Sequence, residues 1–395
     1  MSKLDELIAE LCPDGVPYKT LGELGYFYGG LSGKSKEDFT NGNAKFITYM
    51  NVFTNLAIDT DISDLVRIGE NEKQNTVQYG DILFTGSSET PDECGMSSVL
   101  TEVSDEKFYL NSFCFGFRLK DNNLLLPDFS KYLFRSQNIR KQIKRTANGV
   151  TRFNVSKKKM EQVVIPIPPL PVQQEIVRIL DNFTELTAEL TAELTARRKQ
   201  YEYYRDLLLT FGNEVPMKPL SEVCVLSAGG DVPKRHFSKE KTNEYKVPVY
   251  SNGIGDNALY GWTNEARINN PCITIAARGT IGYVALRNEP FVPVVRLICA
   301  IPKECINVRY LKYATETLNF KVPTSGIPQL TVPMIGKYNI PVPPLEEQER
   351  IVAILDRFDA LCNDLTSGIP AEIEARQKQY EYYRDKLLSF KEVTA

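Results

Sequence analysis

"KQYEYYRD" occupies Lys199–Asp206 and recurs letter for letter at Lys378–Asp385. The flanks agree as well: Ala196-Arg197-Arg198 precedes the first copy and Ala375-Arg376-Gln377 the second. Nothing in the octapeptide is a catalytic pattern, and eight identical residues 179 positions apart are not chance. They mark a tandem repeat, the first thing to settle in reading a chain. Working outward, "IPIPPLPVQQEIVRILDNFTEL" (165–186) matches "IPVPPLEEQERIVAILDRFDAL" (340–361). "VPYKTLGEL" (16–24) matches "VPMKPLSEV" (215–223). "YGGLSGKSK" (28–36) aligns with "AGGDVPKRH" (228–236), which superposes the Gly-Gly pairs and the lysines four residues beyond them. Each half therefore runs in one order: a variable segment, a Pro-rich hinge, a helix.

The helices are the clearest structural signal. After Pro171, apolar residues recur at Ile176, Leu180, Phe183, Leu186, Leu190, Leu194, Tyr201, Tyr204, Leu208 and Phe211. Steps of three and four are the seam of a packed or coiled helix. The second copy gives Ile351, Leu355, Phe358, Leu361, Leu365, Ile369, Ile373, Tyr380, Tyr383, Leu387 and Phe390. Gly368 and Pro370 predict a break within it. The prolines at 166, 168, 169 and 171, and at 341, 343 and 344, mark the helix starts. The variable segments carry short β-like runs ("DILFTG", "FCFGFRL", "CITIAA", "YVAL", "VVRLICAI") among Gly, Asn, Ser and Pro clusters, with helical patches such as 128–145. That pattern predicts compact α/β modules whose private loops diverge on a shared scaffold. The expected boundaries are 1–165 for the first module, 166–212 for the first hinge and helix, 213–340 for the second module, and 341–395 for the second hinge and helix.

At 395 residues with a net charge of −3, the composition is that of a globular protein. Eight cysteines lack any CxxC spacing, and no secretory signal opens the chain, so they read as reduced, mostly buried thiols of a cytoplasmic protein. No apolar run reaches the roughly 20 residues a membrane span needs. The single histidine, His236, lies in the charged loop-like "DVPKRHFSKE". Histidine-based nucleophile systems and multi-histidine metal sites would have to pass through it.

"GGLSGKS" (29–35) imitates a phosphate-binding loop, but Tyr28 stands where the leading glycine belongs and no apolar helix follows. Its lysines, Lys34 and Lys36, still suit a nucleic-acid phosphate. Pro91-Asp92 with Asp105-Glu106-Lys107 satisfies the short pattern of metal-dependent nucleases, which keeps open a nuclease with a metal at Asp92, Asp105 and Glu106. A loop and a hairpin tip explain the same residues. The stretch 129–160 holds ten Lys or Arg and no Asp or Glu, with Phe129, Tyr132, Phe134 and Phe153 interleaved. Such a focused basic patch on a net-acidic body favours a polyanion, with DNA first. Arg145, Arg152, Asn154, Lys157, Lys158 and Lys159 are its candidate contacts. The second module offers Lys234, Arg235, Arg278, Arg287 and Arg296, with amides at Asn252 and Gln329 able to read base edges. Tyr201 and Tyr204, three apart on the seam, read as interface aromatics rather than stacking platforms. A coiled-coil scaffold that binds no DNA is a further alternative, which leaves 129–160 unexplained.

Taken together, these residues resemble the specificity subunit of type I restriction-modification enzymes. The hinges with "QQEIVRILD" and "EQERIVAILD", the "TAELTAEL" tetrads (187–194), the twin octapeptides and the "GG…K", "AARGTIG" and "SGIPQL" elements carry the resemblance over nearly the whole chain. It implies α/β recognition modules in tandem, each followed by a long helix, the two helices packing as an antiparallel coiled-coil spacer. Each module would read one half of a split target in double-stranded DNA, with Thr280 of "AARGTIG" added to the contacts. The helices would dock two methyltransferase subunits, and restriction subunits through them, around Tyr201, Tyr204, Leu208, Tyr380, Tyr383 and Leu387. No catalytic residue, cofactor, metal or membrane contact is implied. Two identical partners need two identical surfaces, which gives the octapeptide a reason to occur twice. The second helix departs from the first in having "SGIPAEIEA" where the tetrads would stand.

Overall fold

The computed structural model describes residues 2–322, 328–364 and 367–393. The chain divides into two units, one of Met1–Leu190 with Ile373–Ala395, the other of Thr191–Glu372. A single 39-residue helix, Leu170–Leu208, contributes one half to each. Pro169 precedes it and Pro171 lies in its first turn, where a missing N–H loses no hydrogen bond. The second hinge starts helix Leu345–Asn363 after Pro344, with Glu346 and Glu347 at its electropositive end. That helix stops where Gly368 and Pro370 predict, and Ile369–Leu387 resumes beyond the break. A Cβ on Gly368 would collide with the carbonyls of Ala360 and Asp364, so the turn requires glycine. Leu365, a member of the predicted seam, lies outside the described residues, as do Ser325, Gly326 and Ile327 of "SGIPQL".

Both units contain the same module. In the first, strands Gly25–Gly29, Cys114–Leu119, Ile82–Thr85 and Ser97–Val99 form an antiparallel sheet in that order. In the second, Cys224–Ala228, Ile298–Pro302, Cys272–Ile275 and Val284–Arg287 repeat the order strand for strand. Each module adds one parallel pair, with Phe46 opposite Tyr109 in the first and Val249 opposite Val292 in the second. Each also pairs its opening strand with its hinge, Lys19 opposite Ile165 and Lys218 opposite Ile340.

The repeat is in register at an offset of 199 as far as Gly30 and Gly229, one residue away from the alignment that superposes both glycines of each pair. Gly30 donates its N–H to Cys114 and Gly229 donates to Leu297, each carbonyl belonging to the residue just before the facing strand's partner. A Cβ on either glycine would meet backbone, Asn111 in one case and Pro293 in the other. The glycines are kept for this close approach. Continued onward, the offset puts Lys36, not Lys34, in step with a cation of the second module, Arg235.

Each core joins module to helix. Phe129, Tyr132, Leu133 and Phe134 pack with Val172, Ile176 and Leu180 in the first unit. Tyr310, Leu311, Tyr313 and Ala314 pack with Ile351, Val352 and Leu355 in the second. Within the first unit, Tyr18, opposite Pro166 at the hinge, donates to Phe390 O at 2.8 Å, while Tyr383 stacks on Phe183 at 5.4 Å. The two helix segments therefore run antiparallel. In the second unit Tyr204 stacks on Phe358 at 5.7 Å, and Leu208 and Phe211 reach the core around Ile351. The cysteines are free thiols, all buried except Cys305. Among the described residues, no helix is long and apolar enough to cross a membrane.

Candidate nucleic-acid interface

The fold divides the ten cations of 129–160. Lys131 pairs with Asp128 at 2.8 Å and Asp181 at 3.1 Å. Arg135 donates to the carbonyls of Ser97, Phe53 and Asn55 at 2.6 to 3.1 Å. The buried Arg140 donates to Gly95, Asp92 and Cys94 carbonyls. Burial pulls both guanidinium groups down to about 10, which still leaves them charged at neutral pH. Lys144 pairs with Asp92 at 2.6 Å and holds that carboxyl below its usual range. Two of these four cations find carboxylates outside the stretch and two find backbone carbonyls, so all four are engaged within the module.

The remaining candidates collect around the antiparallel turn between strands Ala147–Asn148 and Phe153–Val155. There Asn154 lies opposite Ser87 in the ladder. Arg152 donates to the Ser87 hydroxyl at 3.2 Å and lies over the exposed Phe113 ring at 5.5 Å. Helix Lys157–Met160 follows, capped by Ser156 and anchored by the fully buried Met160. It leaves Lys157, Lys158 and Lys159 exposed in succession. Lys157 lies over Phe115 at 5.6 Å, and Lys159 donates to Asn148 at 3.0 Å. Beside them a cavity of about 750 Å³ is lined by Tyr49, Ser87, Ser88, Glu89, Glu93 and Phe113 together with Thr151 and Arg152. Hydroxyls, carboxylates and a guanidinium on the aromatic floor can donate to and accept from base edges. Arg145 stands exposed in the last turn of helix Gln137–Thr146.

Lys34 does not join this group. Its side chain is 8% exposed and its Nζ pairs with Glu72 at 2.6 Å. The Gly69 N–H, then Lys34 and Gln74, hold the Glu72 carboxyl down to about 2. Lys36 is exposed at the start of the short helix Lys36–Phe39.

In the second module, Lys234 and Arg235 are exposed beside His236, itself exposed in the loop. Asn252, Arg278 and Gln329 come together, the two amides half-buried. Asn252 donates to Val295 O and accepts from Ala277 N, both at 2.7 Å. The Gln329 carbonyl oxygen accepts from Arg278 Nε at 2.8 Å. These bonds tie both amides to the Arg278 loop. Thr280 Oγ is buried with no hydrogen-bond partner among the described residues. Arg287 packs on Tyr250 at 3.8 Å, and Arg296 adopts the left-handed conformation beside Val295, at φ of 62° and 52°. Such a pair in a β-branched context is strained and rare.

Asp92, Asp105 and Glu106 are not assembled for metal chemistry. Asp92 is held by Lys144 and Glu106 by Lys45 at 2.7 Å. No group of three or more metal-ligating side chains forms among the described residues.

Sequence reading missed the joints between module and helix. Gln173 and Gln348, both fully buried, make the same three bonds. Gln173 accepts from Leu126 N and donates to Leu124 O and Pro168 O at 2.7 to 2.9 Å. Gln348 accepts from Asn307 N and donates to Cys305 O and Pro343 O at 2.8 to 3.0 Å. Tyr132 donates to Asp181 at 2.6 Å and Tyr313 to Asp356 at 2.7 Å. Burial, then the neighbouring carboxylate, push both phenols far above their usual range. The signal was present: Gln and Asp recur at matching hinge positions, and Lys-Tyr recurs at 131–132 and 312–313.

The profile of the type I restriction modification DNA specificity domain matches residues 13–197 and 213–375. A Mycoplasma pneumoniae protein named as a type I specificity subunit is 38% identical over 301 residues, 72% of this chain and 88% of its own. The specificity subunit of an Escherichia coli type I restriction enzyme is 37% identical over 264 residues, 60% of this chain and 65% of its own. Among solved structures, a chain of a type I R-M system aligns with a TM-score of 0.63, covering 96% of this chain and 98% of its own at 18% identity. The S subunit from M. genitalium aligns at 0.54, covering 95% and 96% at 18% identity. With its two modules and two hinges accounted for, the chain belongs to the type I restriction-modification DNA specificity family.

Proposed function

We propose that this chain is the DNA-recognising, non-catalytic subunit of a type I restriction-modification enzyme. Each module reads one half of a bipartite target in double-stranded DNA, and the helices set the gap between the halves. Two methyltransferase subunits dock on those helices, and restriction subunits join through them in a cytoplasmic complex. The division of labour is 1–165 and 213–340 for reading, 166–212 and 341–395 for spacing and docking. Phosphate contacts fall to Lys36, Arg145, Lys157, Lys158 and Lys159 in the first module and to Lys234 and Arg235 in the second. Arg152 lines the cavity from which bases are read, Asn154 lies opposite its Ser87, and Arg278, steadied by Gln329, serves the second half-site.

One observation carries this reading. The same strand order is built twice, and the exposed cations differ between the copies while the joints to the helices do not. Reading elements free to diverge on fixed joints suit two unlike half-sites. Exchanging residues 216–338 for the matching segment of a relative tests it by methylome sequencing of cells carrying the complex. One half of the methylated sequence should change and the other persist. Change in both halves would overturn the modular reading.

A further inference from the structure

One short turn is built in both modules, and it exposes side chains that the fold does not use. In the first module it leads from the parallel pair, with Ile47 opposite Leu110, into strand Cys114–Leu119. In the second it leads from the pair with Tyr250 opposite Pro293 into strand Ile298–Pro302. Both flanks of the turn keep one offset of 183 residues. Leu110 answers to Pro293, and Cys114, whose carbonyl accepts from Gly30, answers to Leu297, whose carbonyl accepts from Gly229. Each turn closes with the same bond, from Cys114 N–H to Asn111 O at 2.9 Å and from Leu297 N–H to Val294 O at 3.1 Å. The central residues are Ser112 and Phe113 in one turn, Val295 and Arg296 in the other.

The second turn is left-handed at both central residues, a form that takes Asn-Gly by preference. Valine and arginine are strained there, yet neither joins a core. Val295 N–H donates to Gly230 O and Arg296 N–H to Gly229 O, while Val295 O accepts from Asn252, all at 2.7 to 3.1 Å. The turn is thus held through its backbone. Val295 is 43% exposed, and the exposed Arg296 guanidinium has no hydrogen bond or ion pair among the described residues. In the first turn Asn111 Oδ1 accepts from Phe113 N–H at 2.9 Å, and neither central residue is left-handed. Phe113 is 57% exposed and lines the cavity of about 750 Å³, with Arg152 over its ring. Strain kept for a side chain that packs on nothing points to a use for that side chain.

We propose that this turn is the same base-reading position in both modules, with Arg296 reading a guanine of one half-site and Phe113 a thymine of the other. The inference rests on the reading of each module as the reader of one half-site. A guanidinium free of protein partners can donate both its bonds to guanine O6 and N7. A phenyl ring at the edge of a polar cavity offers apolar contact to the thymine C5-methyl, the one apolar group on a base edge in the major groove. The scaffold of the turn is common to the modules, and the residue at its second central position is not, as two unlike half-sites require.

The test uses the full chain with its methyltransferase subunits on the DNA target that methylome sequencing of the parent defines, each base pair of both half-sites being replaced in turn. The parent should lose about 5- to 150-fold in affinity when the guanine read by Arg296 is replaced, the worth of one such contact. Arg296→Ala should lose that penalty alone and keep every other in both half-sites. Arg296→Gly, which suits the left-handed turn, should do the same and melt no lower than the parent, which separates lost reading from lost folding. Phe113→Ala should lose one penalty, at a thymine of the first half-site. Deoxyuridine in that place, which lacks the methyl, should weaken the parent and not the variant. Retention of every penalty by either alanine variant would overturn the turn as a shared reading position. So would weakening spread evenly over all positions with a lower salt slope, the mark of a phosphate contact. A parent complex indifferent to base replacement in both halves would instead overturn the reading beneath it.

Discussion

A buried amide with three bonded neighbours is costly to remove, because its partners are left without water or protein to bond. Gln173 and Gln348 occupy this position where each hinge meets its module. Gln173→Leu keeps the volume and strands Leu126 N–H and two carbonyls. At about 1–3 kcal/mol for each unsatisfied group, a loss of roughly 3 kcal/mol or more is expected in denaturant unfolding. Gln348→Leu should cost the second unit about as much. The neighbouring Gln174 is exposed, and Gln174→Leu should stay within about 0.5 kcal/mol of the parent. If Gln173→Leu unfolds with the parent midpoint, the buried amide is not the joint its geometry suggests. Sequence alone marked both glutamines as repeated but could not say they were buried, since an amide in a helix's first turn is ordinarily a surface residue.

Among the elements, helix Lys157–Met160 is the one whose composition works against its own stability. Three adjacent lysines repel one another at the turn where a helix's free N–H groups point outward, the end that favours anions. Burial of Met160 offsets that cost, and an external polyanion would relieve it. Replacing Lys157, Lys158 and Lys159 with Gln should leave the fold intact. It should lower the salt dependence of DNA binding by the assembled complex by about one unit of slope per lysine on a phosphate. An unchanged slope would make them ordinary solvated surface.

Elements also differed in how far they could be read from sequence. The helices were legible because prolines punctuate their starts and the apolar steps sustain one period. The sheets were legible only as short runs. Strand Gly25–Gly29 pairs with Cys114–Leu119, some ninety residues away, and no local pattern records that choice. The basic stretch misled in one respect. Arg135 and Arg140 look unopposed in sequence, yet their partners are backbone carbonyls from segments brought in by the fold.

At the scale of the whole molecule, the tetrads Thr187–Leu190 and Thr191–Leu194 meet at the boundary between the two units. They lie between Phe183, stacked in the first unit, and Tyr201, buried in the second. One further TAEL after Leu194 adds about 6 Å to the helix at 1.5 Å per residue. It also adds roughly 400° of rotation, so the seam drifts only about 40° and Leu186, Leu190 and Leu194 can stay half-buried. With base pairs rising about 3.4 Å, the gap between half-sites should grow by about one to two base pairs. Both half-sites should stay the same, because the insertion touches no reading loop. A single inserted alanine should behave differently. It turns everything downstream by about 100°, which would swing Tyr201 off the core that buries it and impair folding or assembly. Methylome sequencing of cells carrying the TAEL variant reads the spacing directly. An active variant that methylates the original spacing would mean that Leu170–Leu208 does not measure the gap.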